Sequence, residues 1–285
     1  MPALTLHAHA KLNLALDVLR KRPDGFHQLR TVFERISLAD TITLKTRADG
    51  KIRVLCQNPQ VPKSKRNLVV RIALKLQEDF SITQGVDISI KKNIPVAAGL
   101  AGGSSNGATV LMGLNRLWDL NLAQKDLIHY ASWLGSDVAF FIYNTPLALG
   151  EGRGEVITPL KVKQKLWHVL VTPKVKMLTK DVFGHFKLNL TKKEGGVNIL
   201  LPFLRQGDSS ALSSRISNDL EPAILSLRPD FIHLKEKLKR AGALGVCFSG
   251  SGPSVYALAK DRRHALLIRA RIDKRYAQVF VVSTY

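Results

Sequence analysis

Residues 95–108 read PVAAGLAGGSSNGA, a stretch of small residues with no charged side chain. No Gly-Lys-Ser/Thr triplet follows at Walker spacing and no G-x-G-x-x-G can be read in it, so neither common phosphate-loop pattern applies. Its neighbours decide what it is. Upstream, VDISIKK (86–92) alternates as a strand; downstream, TVLMGLNRLW (109–118) carries Val110, Leu111, Leu114, Leu117 and Trp118 at helical spacing. Glycines between a strand and a helix let the backbone approach a ligand and reach positive φ. The helix start presents unpaired N–H groups and the positive end of its dipole to an anion. Ser104 and Ser105 add hydroxyls suited to phosphate oxygens or a magnesium ion. The same residues would also serve a helix start capped by serine and packed closely on its neighbours, and the window alone leaves both open.

Outward from this stretch, Leu4 to Val18 alternates, with Lys11 and Asn13 on the polar side of a half-buried strand. KRPDGFH (21–27) is a turn, and TITLKT (41–46) with KIRVLC (51–56) reads as a hairpin closed by RADG. Asn67 precedes Leu68, Val69, Ile72, Ala73, Leu76 and Phe80, an N-capped helix. A second helix covers roughly 124–134 and ends at LGSD. KLWHVLVTP is a strand, LTKDVFGHF a helix, and 197–240 mostly helical. Strands at 244–249 and 254–259 flank SGSGPS, and a basic helix leads into a last strand, QVFVVS. Strands and helices mix without regular alternation, which predicts an α+β fold. The expected division is an N-terminal domain over 1–157 and a C-terminal domain over 158–285, the latter a ferredoxin-like split unit.

Forty-three Lys and Arg against 22 Asp and Glu give a net charge of +21. The excess is densest at Lys235, Lys237, Lys239, Arg240, Arg262, Arg263, Arg269, Arg271, Lys274 and Arg275, spacings that suit solvated helix faces. Such charge suits nucleic acid, anionic membranes or acidic small substrates, and alone does not choose. Cys56 and Cys247 lie in apolar runs and read as buried thiols of a reducing compartment. No window approaches a membrane span and the N-terminal residues lack signal-peptide order, so the expectation is a cytoplasmic protein. Asp137, before the apolar run VAFF, could cap a helix or act as a base; Lys11 could be a plain solvent-facing side chain.

Phosphoryl transfer needs a phosphate cradle, an orienting group at the acceptor hydroxyl and a cation for developing charge. PVAAGLAGGSS and FSGSGPSVYAL resemble the second and third motifs of the GHMP kinase superfamily. AKLNLALDVLRKRPDGFHQLRTVF, LGSDVAFF, GRGE and NDLE follow the order of one branch, which phosphorylates a cytidine diphosphate sugar alcohol. The resemblance implies an N-terminal domain like ribosomal protein S5 domain 2 and a C-terminal ferredoxin-like domain, with ATP and Mg2+ as cofactors. It implies Asp137 as base for a tertiary hydroxyl and Lys11 as the cation at the transferring phosphoryl. ATP would be held by Pro95, Ala97, Ala98, Gly99, Leu100, Ala101, Gly102, Gly103, Ser104 and Ser105, with Asn67 and Leu68 near the adenine. Mg2+ would come with ATP, Ser105 being one contact.

For the acceptor, the resemblance implies Asn13 at the methylerythritol end. Phe26 would stack on cytosine in the turn of Asp24 and Gly25, His27 would bond its edge, and Phe183 would close the sandwich. Gly250, Ser251 and Gly252 would close over the substrate, and Asp219 is family-like or a helix cap. This chain departs from the pattern at Phe26, where tyrosine is frequent, and at Ala139 and Asn106. It also has Ala97 and Ala101 where glycine occurs, tolerable only if neither position needs positive φ. A homoserine or mevalonate kinase would fit the loop, but its substrate has no base for DGFH to stack. A nucleic-acid-binding S5-like protein would use the basic surface, yet it leaves Lys11, Asp137 and the loop without a role.

Overall fold

The computed structural model describes residues 3–162, 164–188, 195–206, 209–273 and 278–285. Its two compact units are not contiguous halves: one comprises Met1–Ala10, Leu38–Val96 and Ala101–Asn144, the other Lys11–Ser37, Ala97–Leu100 and Thr145–Tyr285. Two long strands, β1 (Ala3–Lys21) and β2 (His27–Arg47), contribute to both.

In the first unit β2 pairs antiparallel with β4 (Gly85–Lys91), Thr41 opposite Lys91 and Arg47 opposite Gly85. The expected hairpin does not form. β3 (Ile52–Leu55) instead lies parallel to β4, because β4 takes the edge of β2 that the hairpin would have used. Arg47 fastens this corner, its guanidinium meeting Asp49 and Asp87. Helix α1 (Leu68–Asp79) starts where expected, the Asn67 carboxamide oxygen accepting the Val69 N–H at 3.1 Å. Helix α2 (Gly102–Leu117) approaches the sheet through Gly113, where a Cβ would come 2.5 Å from Leu44. Gly107 similarly admits Leu134 of α3 (Gln124–Leu134) and Leu68.

In the second unit β1 is buried from Ala10 to Val18 on both sides, so the half-buried strand ends at His9. A two-residue strand, β8 (Ser217–Asn218), pairs parallel with it. β5 (Leu147–Gly152) joins the lower half of β2, and β6 (Val156–Pro159) joins β5. A separate antiparallel sheet has the order β11 (Gln278–Ser283), β7 (Trp167–Thr172), β10 (Val255–Ala259), β9 (Gly245–Phe248). In chain order that is 4-1-3-2, the arrangement of a ferredoxin-like split unit. One face, with Val169, Val171, Val246, Phe248, Val255 and Ala257, is covered by Phe231, Leu234 and Leu238 of α9 (Phe231–Arg240) and Ala265 and Ile268 of α10 (Arg262–Ala270). Burial of each large side chain there contributes about 1.5–3 kcal/mol. On the other face the Tyr256 hydroxyl donates to the carbonyls of Asn13 and Leu14, tying this sheet to β1.

The basic surface is as expected at Lys239, Arg240, Arg262, Arg263, Arg269 and Arg271, all exposed. Lys237 is half-buried, and Lys235 is buried, paired with Glu221 and 5.5 Å above the Phe248 ring. Lys274 and Arg275 lie outside the described residues. Both cysteines are free thiols; burial pushes Cys247 up to about 12, whereas Cys56 is only half-buried, since β3 is an edge strand. Among the described residues no helix is long and apolar enough to cross a membrane.

Candidate active site

Lys11 is not a solvent-facing side chain, because both faces of β1 are covered at that level; it is only 4% exposed. Its Nζ donates to Asn13 Oδ1 at 2.6 Å and lies 5.2 Å from the Phe33 ring centre. Asn13 in turn donates to Thr31 Oγ1 at 2.8 Å, and Thr31 to the Ala15 carbonyl at 2.6 Å. This buried chain fixes the ammonium in place. Gly250, with φ +55, reaches the same spot: a Cβ there would lie 3.3 Å from Asn13 Oδ1 and 3.6 Å from Lys11 Nζ. The second and third glycine motifs also meet. Ser249 Oγ donates to the Gly99 carbonyl at 2.9 Å, and the Lys11 N–H donates to the Leu100 carbonyl at 3.2 Å. Ser251 bonds Thr179 of α5 (Thr179–His185) at 3.0 Å.

The loop contradicts one expectation. Ala97 and Ala101 both adopt left-handed backbone, φ +53 and +52, beside Gly99 at +74. An alanine in this region costs about 1–2 kcal/mol relative to right-handed backbone, and glycine far less. Ala97→Gly and Ala101→Gly should therefore each raise stability by about 0.5–1 kcal/mol, read as a higher urea midpoint. A lower midpoint in both variants would refute the left-handed assignment.

Helix α2 begins earlier than the apolar spacing suggested, because Gly102, Gly103, Ser104 and Ser105 already form its first turn. Its N-cap position is Ala101 with no side-chain cap, so the serines do not cap it. The first intrahelical bond is Ser105 N–H to the Ala101 carbonyl at 2.9 Å. The amides of Gly102, Gly103 and Ser104 thus have no intrahelical acceptor. Gly103 is exposed and a Cβ there would meet nothing within 4 Å. Ser105 Oγ is buried and has no hydrogen-bond partner among the described residues. A cation that sequence reasoning missed lies here: Lys92, paired with the buried Asp40, whose Nζ would be 2.8 Å from a Cβ at Gly102. It directly follows β4, and residue type and spacing alone give no sign of its place beside Gly102. Asn106 Oδ1 is likewise buried without a partner.

Asp137 stands at the N-cap position of α4 (Val138–Ile142) but makes no capping hydrogen bond, which removes the helix-cap role. It belongs to the first unit, as do Asn67, Leu68, Pro95 and Ser104; Lys11, Asn13, Ala98 and Leu100 belong to the second. Asn67 has both polar groups occupied locally, its amide donating to the Pro62 carbonyl at 2.8 Å.

The DGFH turn is built from the backbone outward. Gly25 takes φ +82, the Arg22 N–H donates to the Phe26 carbonyl at 2.7 Å, and the Phe26 N–H donates to Asp24 at 3.1 Å. The Arg22 guanidinium beside Asp24 holds that carboxyl below the usual carboxylate range. Phe26 is left 53% exposed. The Phe183 ring stacks on His27, centres 4.9 Å apart and 25° between planes, with Phe186 edge-on to His27 at 6.0 Å. Partial burial and the charge of Lys21 lower the His27 pKa, so the ring is chiefly neutral near pH 7 and offers one donor and one acceptor.

Asp219 is no helix cap, since α8 (Glu221–Leu227) starts after Leu220; its carboxylate accepts the Val18 N–H at 3.0 Å. Asn218, which sequence reasoning passed over, holds the glycine turn by donating to the Phe248 and Gly250 carbonyls at 3.1 and 2.8 Å. Among the described residues, no group of three or more His, Cys, Asp or Glu side chains could hold a metal ion.

Residues 67–145 match the model of the GHMP kinase N-terminal domain, and residues 200–278 that of the GHMP kinase C-terminal domain. A 4-diphosphocytidyl-2-C-methyl-D-erythritol kinase of Geobacillus kaustophilus (strain HTA426) is 44% identical over 90% of this chain and 88% of its own. One of Alkaliphilus oremlandii (strain OhILAs) is 38% identical over 100% and 98%. Among solved structures, a 4-(cytidine 5'-diphospho)-2C-methyl-D-erythritol kinase superposes with a TM-score of 0.84 at 30% identity, covering 98% of both chains. A homoserine kinase from Cytophaga hutchinsonii shares the fold, with a TM-score of 0.79 at 23% identity over 100% and 95%.

Proposed function

Because the chain belongs to the GHMP kinases and, within them, to the 4-diphosphocytidyl-2-C-methyl-D-erythritol kinases, we propose that it transfers the γ-phosphoryl of ATP to the 2-hydroxyl of that sugar alcohol. This is a step of the non-mevalonate route to isopentenyl diphosphate. The observation that carries the proposal is the buried Lys11–Asn13–Thr31 chain, which meets the glycine turn at Gly250. An ammonium held this firmly needs no reorganisation as charge develops on a phosphoryl group. Asp137 accepts the hydroxyl proton and aims the oxygen. The exposed start of α2 receives phosphate oxygens on the amides of Gly102, Gly103 and Ser104.

A Mg2+ ion accompanying ATP would supply positive charge against the phosphates, with Ser105 as one residue that would hold it. The unpartnered hydroxyl of Ser105 is of the oxygen type this ion takes. Phe26 and His27 read the cytosine, the ring by stacking and the imidazole by its polar edge. The residues 1–157 and 158–285 serve as N- and C-terminal domains, each containing one family match. We place the enzyme in the cytoplasm, in keeping with two free thiols, with small molecules rather than membranes or nucleic acid as its partners.

An ATP-consumption panel tests this reading. The cytidine diphosphate acceptor should turn over at least a hundredfold faster than homoserine, mevalonate or the acceptor lacking cytidine. Comparable turnover of mevalonate or homoserine would overturn the substrate assignment.

A further inference from the structure

Phe26 poses a question that its stacking role leaves open. A phenyl ring more than half exposed at a turn has no hydroxyl to anchor it, yet recognition of a flat base needs a fixed ring plane. The turn's hydrogen bonds fix the backbone only, leaving both side-chain torsions free. One charged group meets the ring itself: the Arg153 guanidinium, 5.1 Å from its centre. Arg153 opens the connection between β5 and β6, flanked by Gly152 at the end of β5 and Gly154, with φ +75 and +106. Glu155 folds back over this connection. Its carboxylate accepts the Arg153 N–H at 2.5 Å, meets the Arg153 Nε at 3.4 Å, and would be 2.9 Å from a Cβ at Gly152. The arginine is thus clamped by its own turn, and all of these residues belong to one unit.

We propose, resting on the reading of Phe26 as the cytosine-stacking residue, that Arg153 is a positioning residue for acceptor recognition. Its guanidinium, held by Glu155, backs one face of the Phe26 ring so that the other face is presented to the pyrimidine. A cation on a ring face is favourable where the guanidinium is partly exposed, and the base–ring contact on the opposite face gains a fixed plane. Two glycines with left-handed backbone and a returning carboxylate are needed to bring the guanidinium there. A solvent-facing arginine would need neither.

Arg153→Ala should raise the KM for the cytidine acceptor about three- to fivefold, with kcat and the KM for ATP unchanged within twofold. Arg153→Lys, which retains a cation, should recover at least half of that effect. In a Phe26→Ala background, Arg153→Ala should leave kcat/KM for the acceptor unaltered, because nothing remains to be positioned. An unchanged KM in the single variant overturns the proposal, as does an equal loss with and without Phe26, or a fall in kcat alone. If the parent enzyme turns over the acceptor but Phe26→Ala does not raise its KM, the stacking role of Phe26 fails and this proposal with it. Failure of the parent to use the acceptor is a different result, which overturns the assigned function itself.

Discussion

Asp137→Asn should lower kcat about a thousandfold while ATP still binds. The substitution keeps size and shape and removes only the charge and the ability to accept a proton, an effect that general-base residues typically put at 10²–10⁴-fold. The competing role for this carboxylate was structural, as a cap on α4, and the missing capping hydrogen bond excludes it. A thermal melt of the variant separates loss of the base from loss of folded protein. Nucleotide titration at equilibrium and steady-state turnover read the two expectations separately. Activity within about tenfold of the parent would show that Asp137 is not the base.

Gly99→Ala should damage the protein in a different way. A Cβ at Gly99 would come 2.2 Å from the Ser249 carbonyl oxygen and 2.9 Å from that of Gly252, and the position has φ +74. Backbone oxygens cannot step aside as a flexible side chain can. Overpacking of about 1–3 kcal/mol adds to left-handed strain of about 1–2 kcal/mol. At this chain length the expected fall in melting temperature is about 5–10 °C, with loss of the Ser249–Gly99 bond that joins the two glycine motifs. Gly103→Ala is the contrast: its Cβ meets open space, so the melting temperature should not fall, while the KM for ATP should rise as a methyl group enters the phosphate approach. Equal melting of parent and Gly99→Ala would contradict the close contact. Of the three glycines of PVAAGLAGGSS, Gly99 thus packs the motifs together, Gly102 packs against Lys92 and Ile94, and Gly103 leaves room for a ligand.

Much of this was legible in the sequence because local signals were strong. Asn67 before an apolar helical stripe gave α1, and the strands and basic helix from β7 onward gave the ferredoxin-like unit. What failed were pairings, which depend on partners distant in the chain. The run KIRVLC looked like half of a hairpin, yet its neighbour is β4, about thirty residues later. Lys11 looked exposed by alternation because its neighbours Phe33 and Gly250, far off in the chain, cannot be read from period two. The positive φ at Ala97 and Ala101 went against residue type, since alanine is a poor choice there. Around the aromatics of DGFH and TKDVFGHF the structure adds contacts that residue spacing does not signal. Phe183 stacks on His27, and Phe26 is held by an arginine from another hairpin.

The most direct test of the central claim is the phosphorus spectrum of the product formed from ATP and the cytidine diphosphate acceptor. The acceptor's 2-carbon bears a methyl group, so its hydroxyl is tertiary and that carbon carries no hydrogen. Transfer to it should yield one new phosphomonoester signal without three-bond coupling to a carbinol proton, formed in equal amount to ADP. A new signal split by such protons, or ADP released without any new phosphomonoester, would contradict the assigned reaction.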